Sequence, residues 1–429
     1  MNFPFFQWYL QLTGYPMSKA RKELSSIQSM THYERKKWII EKQWELIKYH
    51  FENNPFYRNK LNGKFPLNWE TVPELSKSDL QSGLESLLSK PFTISEVYIS
   101  NTSGSSGTPF FYAKDKYSHA ITWALIESRY AEYGIALNDL QARFYGIPLT
   151  GFSGFKERMK DRIMNRVRFP VFDLSDAANE KFLEVFARKK FKYVYGYTNS
   201  IVLFCRYLLR IEIILNTVCP SIRCVMVTSE MCTPDDKLLI EKATGVPCVI
   251  EYGASEFGII AYQKPDGFLK ISEELIYVET NSKDEILITS LFNKAFPFVK
   301  YNIADRGKLL TNELNELGIS ELMGRSDDTI ILPDGRQAAG LTMYYCSRKI
   351  LESFTSIKEI YFTQTALDAF TIYYISEIEL SKVQLKIISD AFETYLCAGL
   401  QLTFEKTDNI RRKQNGKFQL FTSLIINRD

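Results

Sequence analysis

Features that mark secreted, membrane-spanning and disulfide-stabilised proteins are missing from this 429-residue chain. No stretch reaches the roughly 18 consecutive apolar residues that a membrane-spanning helix needs. The seven cysteines are irregularly spaced, which does not suit a secreted disulfide framework. Residues 1–18 carry no charged side chain, but they lack the basic start of a signal peptide. We therefore expect a cytoplasmic protein that has no membrane span and keeps its cysteines reduced.

An excess of charge of one sign is missing too. Lys and Arg number 53 against 50 Asp and Glu, which gives a net charge of +3, and neither sign forms long blocks. A protein dedicated to nucleic acid or to anionic membranes would carry a basic patch, so neither partner is expected. Hydrophobic residues make up 45% and charged residues 24% of the chain, as in ordinary globular proteins with two or more domains.

Short apolar segments alternate with amphipathic ones along most of the chain, which predicts an α/β fold. Strands are predicted at residues 97–99, 193–195, 224–227, 249–250 and 286–288, and helices at 33–54, 173–190 and 234–244. From about residue 330 the pattern changes to strands at 359–362 and 369–375 and a helix at 380–396. This change predicts a separate C-terminal α+β domain, and we place the two domains at residues 1–328 and 329–429.

The first candidate site is a loop rich in glycine and hydroxyl side chains. Directly after an apolar segment come Thr102, Ser103, Gly104, Ser105, Ser106, Gly107 and Thr108. Glycines let backbone N–H groups turn towards one anion, and hydroxyl groups add further donors, so such a loop can cradle a polyphosphate. It is not a Walker loop, because no Gly-Lys-Ser/Thr follows. Taken alone, a plain flexible connector is the commoner interpretation.

A second motif, Tyr252-Gly253-Ala254-Ser255-Glu256, follows the apolar segment 249–250. An aromatic ring can stack on a nucleotide base, a glycine lets the backbone approach a ligand, and a carboxylate can bind Mg²⁺. Considered by itself, the motif is more often a surface turn with a solvated glutamate.

Three further motifs lie towards the C-terminus. Asp305 ends an apolar run, where a strand-end carboxylate can accept hydrogen bonds from ribose hydroxyls. Arg325, Asp327 and Asp328 lie at the predicted domain joint, and Lys417 belongs to a basic turn. The basic turn is also compatible with a simple solvated loop.

In this order and with these gaps, the five motifs resemble the adenylate-forming (AMP-binding) superfamily, specifically its phenylacetate-CoA ligase branch with relatives from capsule-polysaccharide biosynthesis. The resemblance covers roughly residues 35–420. It implies a large N-terminal adenylation domain with several β-sheets and helices, followed by a small mobile α+β domain. It also implies an enzyme that converts a carboxylic acid to an acyl-adenylate with ATP and Mg²⁺ and then transfers the acyl group to CoA. A homodimer is implied as well.

The resemblance assigns a role to each motif. The loop from Thr102 to Thr108 would hold the β- and γ-phosphates of ATP, while Tyr252 would stack on adenine against a wall formed by Gly253, Ala254 and Ser255. Glu256 would hold Mg²⁺, and Asp305 would bind the ribose hydroxyls with help from Arg325. Asp327 or Asp328 would be the hinge of the C-terminal domain. Lys417 would reach the carboxylate and the α-phosphate when that domain closes, which makes Lys417 and Glu256 the predicted catalytic residues.

Some positions depart from the family pattern. Ala304 stands where the family has glycine before the aspartate, and the phosphate loop continues as Pro109-Phe110 without a lysine. Residues 259–279 contain neither Cys nor His, so no zinc is predicted there. His119 and the aromatic residues Tyr145, Tyr195 and Tyr197 are candidates for the acyl pocket, although a packed core position is the commoner role for each.

Two alternatives to the CoA ligase remain open. An adenylating transferase of polysaccharide biosynthesis would deliver the acyl group to an amine or a hydroxyl without CoA. A nucleotide-binding protein that has lost turnover would bind ATP without releasing pyrophosphate. The presence of Glu256, Asp305, Arg325 and Lys417 together favours catalysis over the last of these.

Overall fold

The computed structural model describes most of the chain. The described residues are 5–81, 83–102, 110–145, 151–171, 174–325, 330–335, 337–338, 342–343, 346–347, 350–351, 354, 356–408 and 420–425. Within these ranges no helix is both long and apolar enough to cross a membrane.

Helices are concentrated in the first half of the chain. The α-helices are α1 (Phe5–Leu12), α2 (Met17–Gln28), α3 (His32–Asn53), α4 (Pro55–Lys60), α5 (Leu84–Leu87), α6 (Lys116–Ala131), α7 (Gly151–Ile163), α8 (Asp176–Arg188), α9 (Thr198–Arg210), α10 (Leu215–Val218), α11 (Pro234–Thr244) and α12 (Lys382–Tyr395). Short 3-10 helices span Trp69–Thr71, Ser78–Leu80 and Ile94–Glu96.

Capping residues explain where several helices begin. Thr31 starts α3 and Ser381 starts α12 with a capping box, in which the side chains of Glu34 and Gln384 bond back to the cap. Each box satisfies backbone N–H groups that a first helical turn leaves unpaired. Asp115 starts α6, since its side chain accepts a hydrogen bond from the backbone N–H of Ser118 at 2.8 Å.

The strands are distributed from residue 98 to residue 423. They are β1 (Tyr98–Thr102), β2 (Phe110–Lys114), β3 (Gln141–Phe144), β4 (Arg166–Phe169), β5 (Tyr193–Tyr197), β6 (Cys224–Thr228), β7 (Cys248–Ala254), β8 (Gly258–Gln263), β9 (Leu269–Ile271), β10 (Ile276–Thr280), β11 (Glu285–Ser290), β12 (Tyr301–Thr311), β13 (Leu317–Arg325), β14 (Ile330–Ile331), β15 (Gln337–Ala338), β16 (Ile357–Ala366), β17 (Ala369–Ser376), β18 (Gln401–Lys406) and β19 (Phe421–Ser423).

One large mixed sheet has the strand order β10-β11-β12-β13-β9-β8-β7-β6-β5-β3-β4. Its strands β4, β3, β5, β6 and β7 are parallel neighbours, whereas β7, β8 and β9 pair antiparallel. Strands β1 and β2 form a separate antiparallel hairpin, and the C-terminal strands form a sheet of order β18-β17-β16-β19. The predicted α/β class with several sheets and a C-terminal α+β part is confirmed.

Two compact units divide the chain. The larger comprises Met1–Ser282, Ile286–Ile303 and Lys308–Ser320, and the smaller comprises Lys283–Glu285, Ala304–Gly307 and Glu321–Asp429. In the larger unit, one core packs α8, α9 and α11 on the parallel strands, with Phe144, Phe186 and Phe204 fully buried. A second cluster on the opposite face includes Tyr130 of α6 together with Tyr193 and Met226. Helix α6 therefore covers the face of the sheet opposite the first core.

Candidate functional site

The carboxyl ends of β5, β6 and β7 lie along one edge of the large sheet, the edge at which open α/β sheets bind ligands. The second predicted motif lies there, because β7 ends at Ala254 and the turn Ser255-Glu256-Phe257 leads into β8. The backbone N–H of Phe257 donates to the carbonyl oxygen of Ala254 at 3.1 Å, which closes the turn.

Two glycines make this turn possible. A Cβ atom on Gly253 would lie 2.5 Å from the carbonyl oxygen of Gly258, so only glycine allows the two strands to approach so closely. Gly258 itself has a φ of +80°, and a Cβ there would lie 2.7 Å from Cγ2 of Thr122 on α6. The turn is consequently packed directly against α6.

Glu256 is a buried carboxylate at the tip of this turn, with an exposed fraction of 7%. The hydroxyl of Ser255 donates to Oε2 of Glu256 at 3.3 Å. The phenol of Tyr112 on β2 donates to the carbonyl oxygen of Ser255 and thereby holds the turn against the β1–β2 hairpin. Burial is the main reason that the pKa of Tyr112 is raised, so the phenol stays a donor.

Glu256 is suited to bind a metal ion that takes most of its ligands from a substrate and from water. Among the described residues, no group of three or more His, Cys, Asp or Glu side chains is placed to hold a metal ion. Mg²⁺ typically binds one or two carboxylates and completes its octahedron with substrate phosphates and water. A single buried carboxylate therefore fits a magnesium ion that arrives with a nucleotide, and not a resident metal cage.

Tyr252 and Ala254 are half-buried on β7. They follow Glu251, which belongs to a buried polar cluster that the sequence did not reveal. Glu251 is buried, and its two oxygens accept hydrogen bonds from the phenols of Tyr195 at 2.7 Å and Tyr130 at 3.4 Å. Burial raises the pKa of Glu251. The guanidinium of Arg143 lies 5.1 Å from the ring centroid of Tyr195. Tyr195, a candidate for the acyl pocket, thus has polar partners.

The β1–β2 hairpin carries the predicted phosphate loop between its strands. Thr102 is the last residue of β1 and pairs with Phe110 of β2, while Ser103, Gly104, Ser105, Ser106, Gly107 and Thr108 lie outside the described residues, as does the side chain of Thr102. The predicted strand at 97–99 is confirmed, although it begins one residue later and continues up to the loop.

Lys114, at the other end of β2, is a site residue that the sequence did not reveal. Its exposed fraction is 5%. Burial lowers the pKa of Lys114 to about 8, an effect that the nearby Glu256 carboxylate partly offsets. The only signal in the sequence was a lysine at the end of the apolar segment Phe110–Ala113, and a solvated lysine is the ordinary interpretation of that pattern.

His119 lies on the first turns of α6. Its ring stacks on Tyr98 with centroids 4.1 Å apart and lies 5.0 Å from the ring of Tyr15. Nε2 accepts a hydrogen bond from Nε1 of Trp123 at 3.0 Å. Burial, helped by the charge of Lys114, lowers the pKa of His119 to about 3, so the ring is neutral.

The remaining predicted residues lie towards the C-terminus. Asp305 is half-buried within β12, which is not the expected strand end, because the strand continues to Thr311. Arg325 is the last residue of β13. The side chain of Arg325, together with Asp327, Asp328 and Lys417, lies outside the described part of the chain.

Comparisons with known proteins link this fold to ligases. No family model matches the chain, and no curated protein matches it. Among solved structures, 2-hydroxyisobutyryl-CoA ligase in complex with 2-HIB-AMP is similar with a TM-score of 0.68 and 16% identity, over 92% of this chain and 90% of that one. Anthranilate CoA ligase AuaEII in complex with anthranoyl-AMP has a TM-score of 0.51 and 14% identity, over 74% of this chain and 65% of that one.

A third similar structure is named for the formation of an amide bond. The amide bond synthetase McbA from Marinactinospora thermotolerans has a TM-score of 0.51 and 14% identity, over 76% of this chain and 67% of that one. At such low identity, these similarities establish the fold alone. The chain has the fold of enzymes whose structures hold acyl-adenylates.

Proposed function

We propose that the protein activates a carboxylic acid with ATP, forming an acyl-adenylate and pyrophosphate, and then transfers the acyl group to the thiol of CoA. The observation that carries this proposal is the buried Glu256 carboxylate in a tight turn at the carboxyl end of β7. The fold similarity to 2-hydroxyisobutyryl-CoA ligase over nine-tenths of both chains supports the same reaction class.

The nucleotide is bound mainly by the larger unit in this proposal. The loop from Thr102 to Thr108 holds the β- and γ-phosphates, and Tyr252 stacks on the adenine ring. Gly253, Ala254 and Ser255 form the wall beside the base. Glu256 would hold Mg²⁺, which would supply positive charge that offsets the charge of the phosphates. Tyr112 keeps this carboxylate in place through its hydrogen bond to Ser255.

The chemical step brings two anions together. The substrate carboxylate attacks the α-phosphate, its oxygen forms the new P–O bond, and pyrophosphate leaves with the electrons of the broken bond. Negative charge grows on the α-phosphate during this step, so cationic groups aimed at it lower the barrier. We assign that role to Lys417, with Asp305 and Arg325 binding the ribose and with Asp327 or Asp328 as the hinge of the C-terminal domain.

Amide or ester formation is the second candidate function. The similarity to the amide bond synthetase McbA supports it, since an acyl-adenylate can be attacked by an amine as readily as by a thiol. A protein that binds ATP without turnover is the third candidate, and the absence of pyrophosphate release would distinguish it.

Pyrophosphate release from ATP tests the proposal. The panel comprises aryl, fatty, hydroxy, amino and dicarboxylic acids, each assayed with and without CoA. We expect release with one class of acid, accelerated by CoA and accompanied by a thioester. Release that does not depend on CoA but increases with an added amine would favour the amide-forming candidate. ATP binding without pyrophosphate release in the presence of any acid would refute both the CoA ligase and the amide- or ester-forming enzyme.

A further inference from the structure

Lys114 is a buried cation without an ionic partner in the described part of the chain. Its exposed fraction is 5%, and Glu256 acts on it only through a longer-range electrostatic interaction, without a hydrogen bond. Burying an ammonium group is costly unless an anion compensates it. A buried ammonium group without a compensating anion is a candidate for ligand binding.

His119 supplies a second buried donor in the same region, since its ring stacks on Tyr98, which pairs with Lys114 across the hairpin. The indole of Trp123 can only donate, so Nε2 of His119 must accept the 3.0 Å hydrogen bond between them. Because the ring is neutral, its proton then resides on Nδ1. Nδ1 is buried and has no hydrogen-bond partner among the described residues. Stacking on Tyr98 fixes the ring orientation.

The two donors lie on the side of the hairpin away from the phosphate loop. Lys114 pairs with Tyr98 at one end of the hairpin, whereas Thr102 pairs with Phe110 at the loop end. Lys114 lies four residue steps along β2 from Phe110, which corresponds to about 13 Å. Tyr112, on the same face of β2 as Lys114, contacts the Glu256 turn between these ends. The donors therefore lie at the end of the hairpin opposite to Thr102 and Phe110, the strand ends that flank the loop.

We propose that Lys114 and His119 bind a second anionic group on the acid substrate, so that the enzyme prefers dicarboxylic acids to monocarboxylic acids. This inference rests on the proposed function, because it assigns the substrate class of the same site. One carboxylate of the substrate reacts with ATP, and the other accepts hydrogen bonds from Nζ of Lys114 and Nδ1 of His119. The second carboxylate compensates the buried ammonium charge, which a monocarboxylic acid leaves uncompensated.

The test is a set of matched acid pairs. Pyrophosphate release is measured for dicarboxylic acids from succinate to suberate, each paired with the monocarboxylic acid of equal carbon number. Lys114→Met should lower kcat/KM for the best dicarboxylic acid by about 100-fold, since a site built to bond a polar group rejects partners that leave it unpaired. Its matched monocarboxylic acid should change by less than about 3-fold. His119→Phe, which keeps the stacking, should cost about 10-fold with the dicarboxylic acid only.

Matched controls separate recognition from folding. Lys114→Arg keeps the charge and should retain most of the preference, and Lys116→Met changes an exposed lysine two residues away and should have no effect. Wild-type preference for monocarboxylic acids, or an equal loss for both acids in Lys114→Met, would overturn the inference. If no acid releases pyrophosphate, the proposed function fails. Calorimetric titration with the dicarboxylic acids then tests whether Lys114 and His119 bind the second carboxylate. Absence of binding, or binding that is unchanged in Lys114→Met, would overturn this inference.

Discussion

Ala304 has a backbone φ of +61° within β12. In this left-handed region the Cβ atom of an L-residue crowds the following carbonyl oxygen, at a cost of roughly 1–2 kcal/mol. Glycine adopts the region freely, and the family that the sequence resembles has glycine at this position. The added methyl group therefore strains the backbone immediately before Asp305.

Replacing this alanine should stabilise the protein. Ala304→Gly is expected to raise the free energy of unfolding by about 0.5–1 kcal/mol, because the relieved strain exceeds the extra entropy of glycine in the unfolded chain. Urea unfolding measures the change. The control Ala187→Gly, at an exposed position of α8, should lower stability by about 1 kcal/mol. A loss of stability in Ala304→Gly would show that the backbone at Ala304 is not strained.

Single residues differ in how far their roles can be predicted from sequence. The Tyr252–Glu256 turn could be recognised, because an aromatic ring, a glycine and a carboxylate lie within five consecutive residues. Lys114 could not, because its burial and its electrostatic interaction with Glu256, a residue distant in sequence, arise only in the folded chain. His119 was a candidate, but only the structure shows that its Nδ1 has no hydrogen-bond partner among the described residues.

Helix α6 is tied to the large sheet region by a buried ion pair. Nη2 of Arg129 lies 2.7 Å from both oxygens of Glu274, in the segment between β9 and β10. The side chains are 4% and 1% exposed. The charge of Arg129 helps keep the pKa of Glu274 low, against the opposing effect of burial. This pair anchors the helix that also carries His119 and Thr122.

Removing one partner should destabilise the protein strongly. Arg129→Met is expected to lower the free energy of unfolding by about 3–5 kcal/mol, because it leaves the Glu274 carboxylate buried without a counter-charge. Urea unfolding measures the loss. The double variant Arg129→Met/Glu274→Leu should recover much of it, since it leaves neither charge of this pair buried alone. A single variant as stable as the wild type would show that the pair does not anchor α6.

Strands were predicted correctly where a continuous apolar run marks the strand in the sequence. Strands β5, β6 and β7 follow the predicted segments, because both faces of these parallel strands are covered and their apolar runs mark them. Strand β12 was missed as a long strand. Its residues Asp305, Arg306 and Lys308 interrupt the apolar pattern, while the backbone continues as a strand to Thr311.

At the scale of the whole molecule, the proposed reaction uses a residue from each of the two compact units. The smaller unit includes residues 321–429 and therefore the segment that contains Lys417. The predicted domain boundary at residue 328 and the hinge at Asp327 or Asp328 remain predictions. So does the catalytic role of Lys417, which follows from the resemblance.

Lys417→Ala should separate binding from chemistry. We expect a loss of acid-dependent pyrophosphate release of about 100- to 1,000-fold, because the lysine acts on charge that develops in the transition state. ATP affinity, measured by calorimetry, should be nearly unchanged. Lys413→Ala, a neighbour in the same basic segment of the sequence, should leave both quantities unchanged. Unaltered adenylation in Lys417→Ala would remove this residue from the mechanism.

Acid-dependent exchange of labelled pyrophosphate into ATP tests the central claim most directly, because it reports the adenylation half-reaction without any acyl acceptor. The account predicts exchange that requires Mg²⁺ and a carboxylic acid, proceeds without CoA, and is strongest with a dicarboxylic acid. Exchange that occurs without any acid, or no exchange with any acid of the panel although ATP binds, would contradict the claim that this protein activates carboxylates.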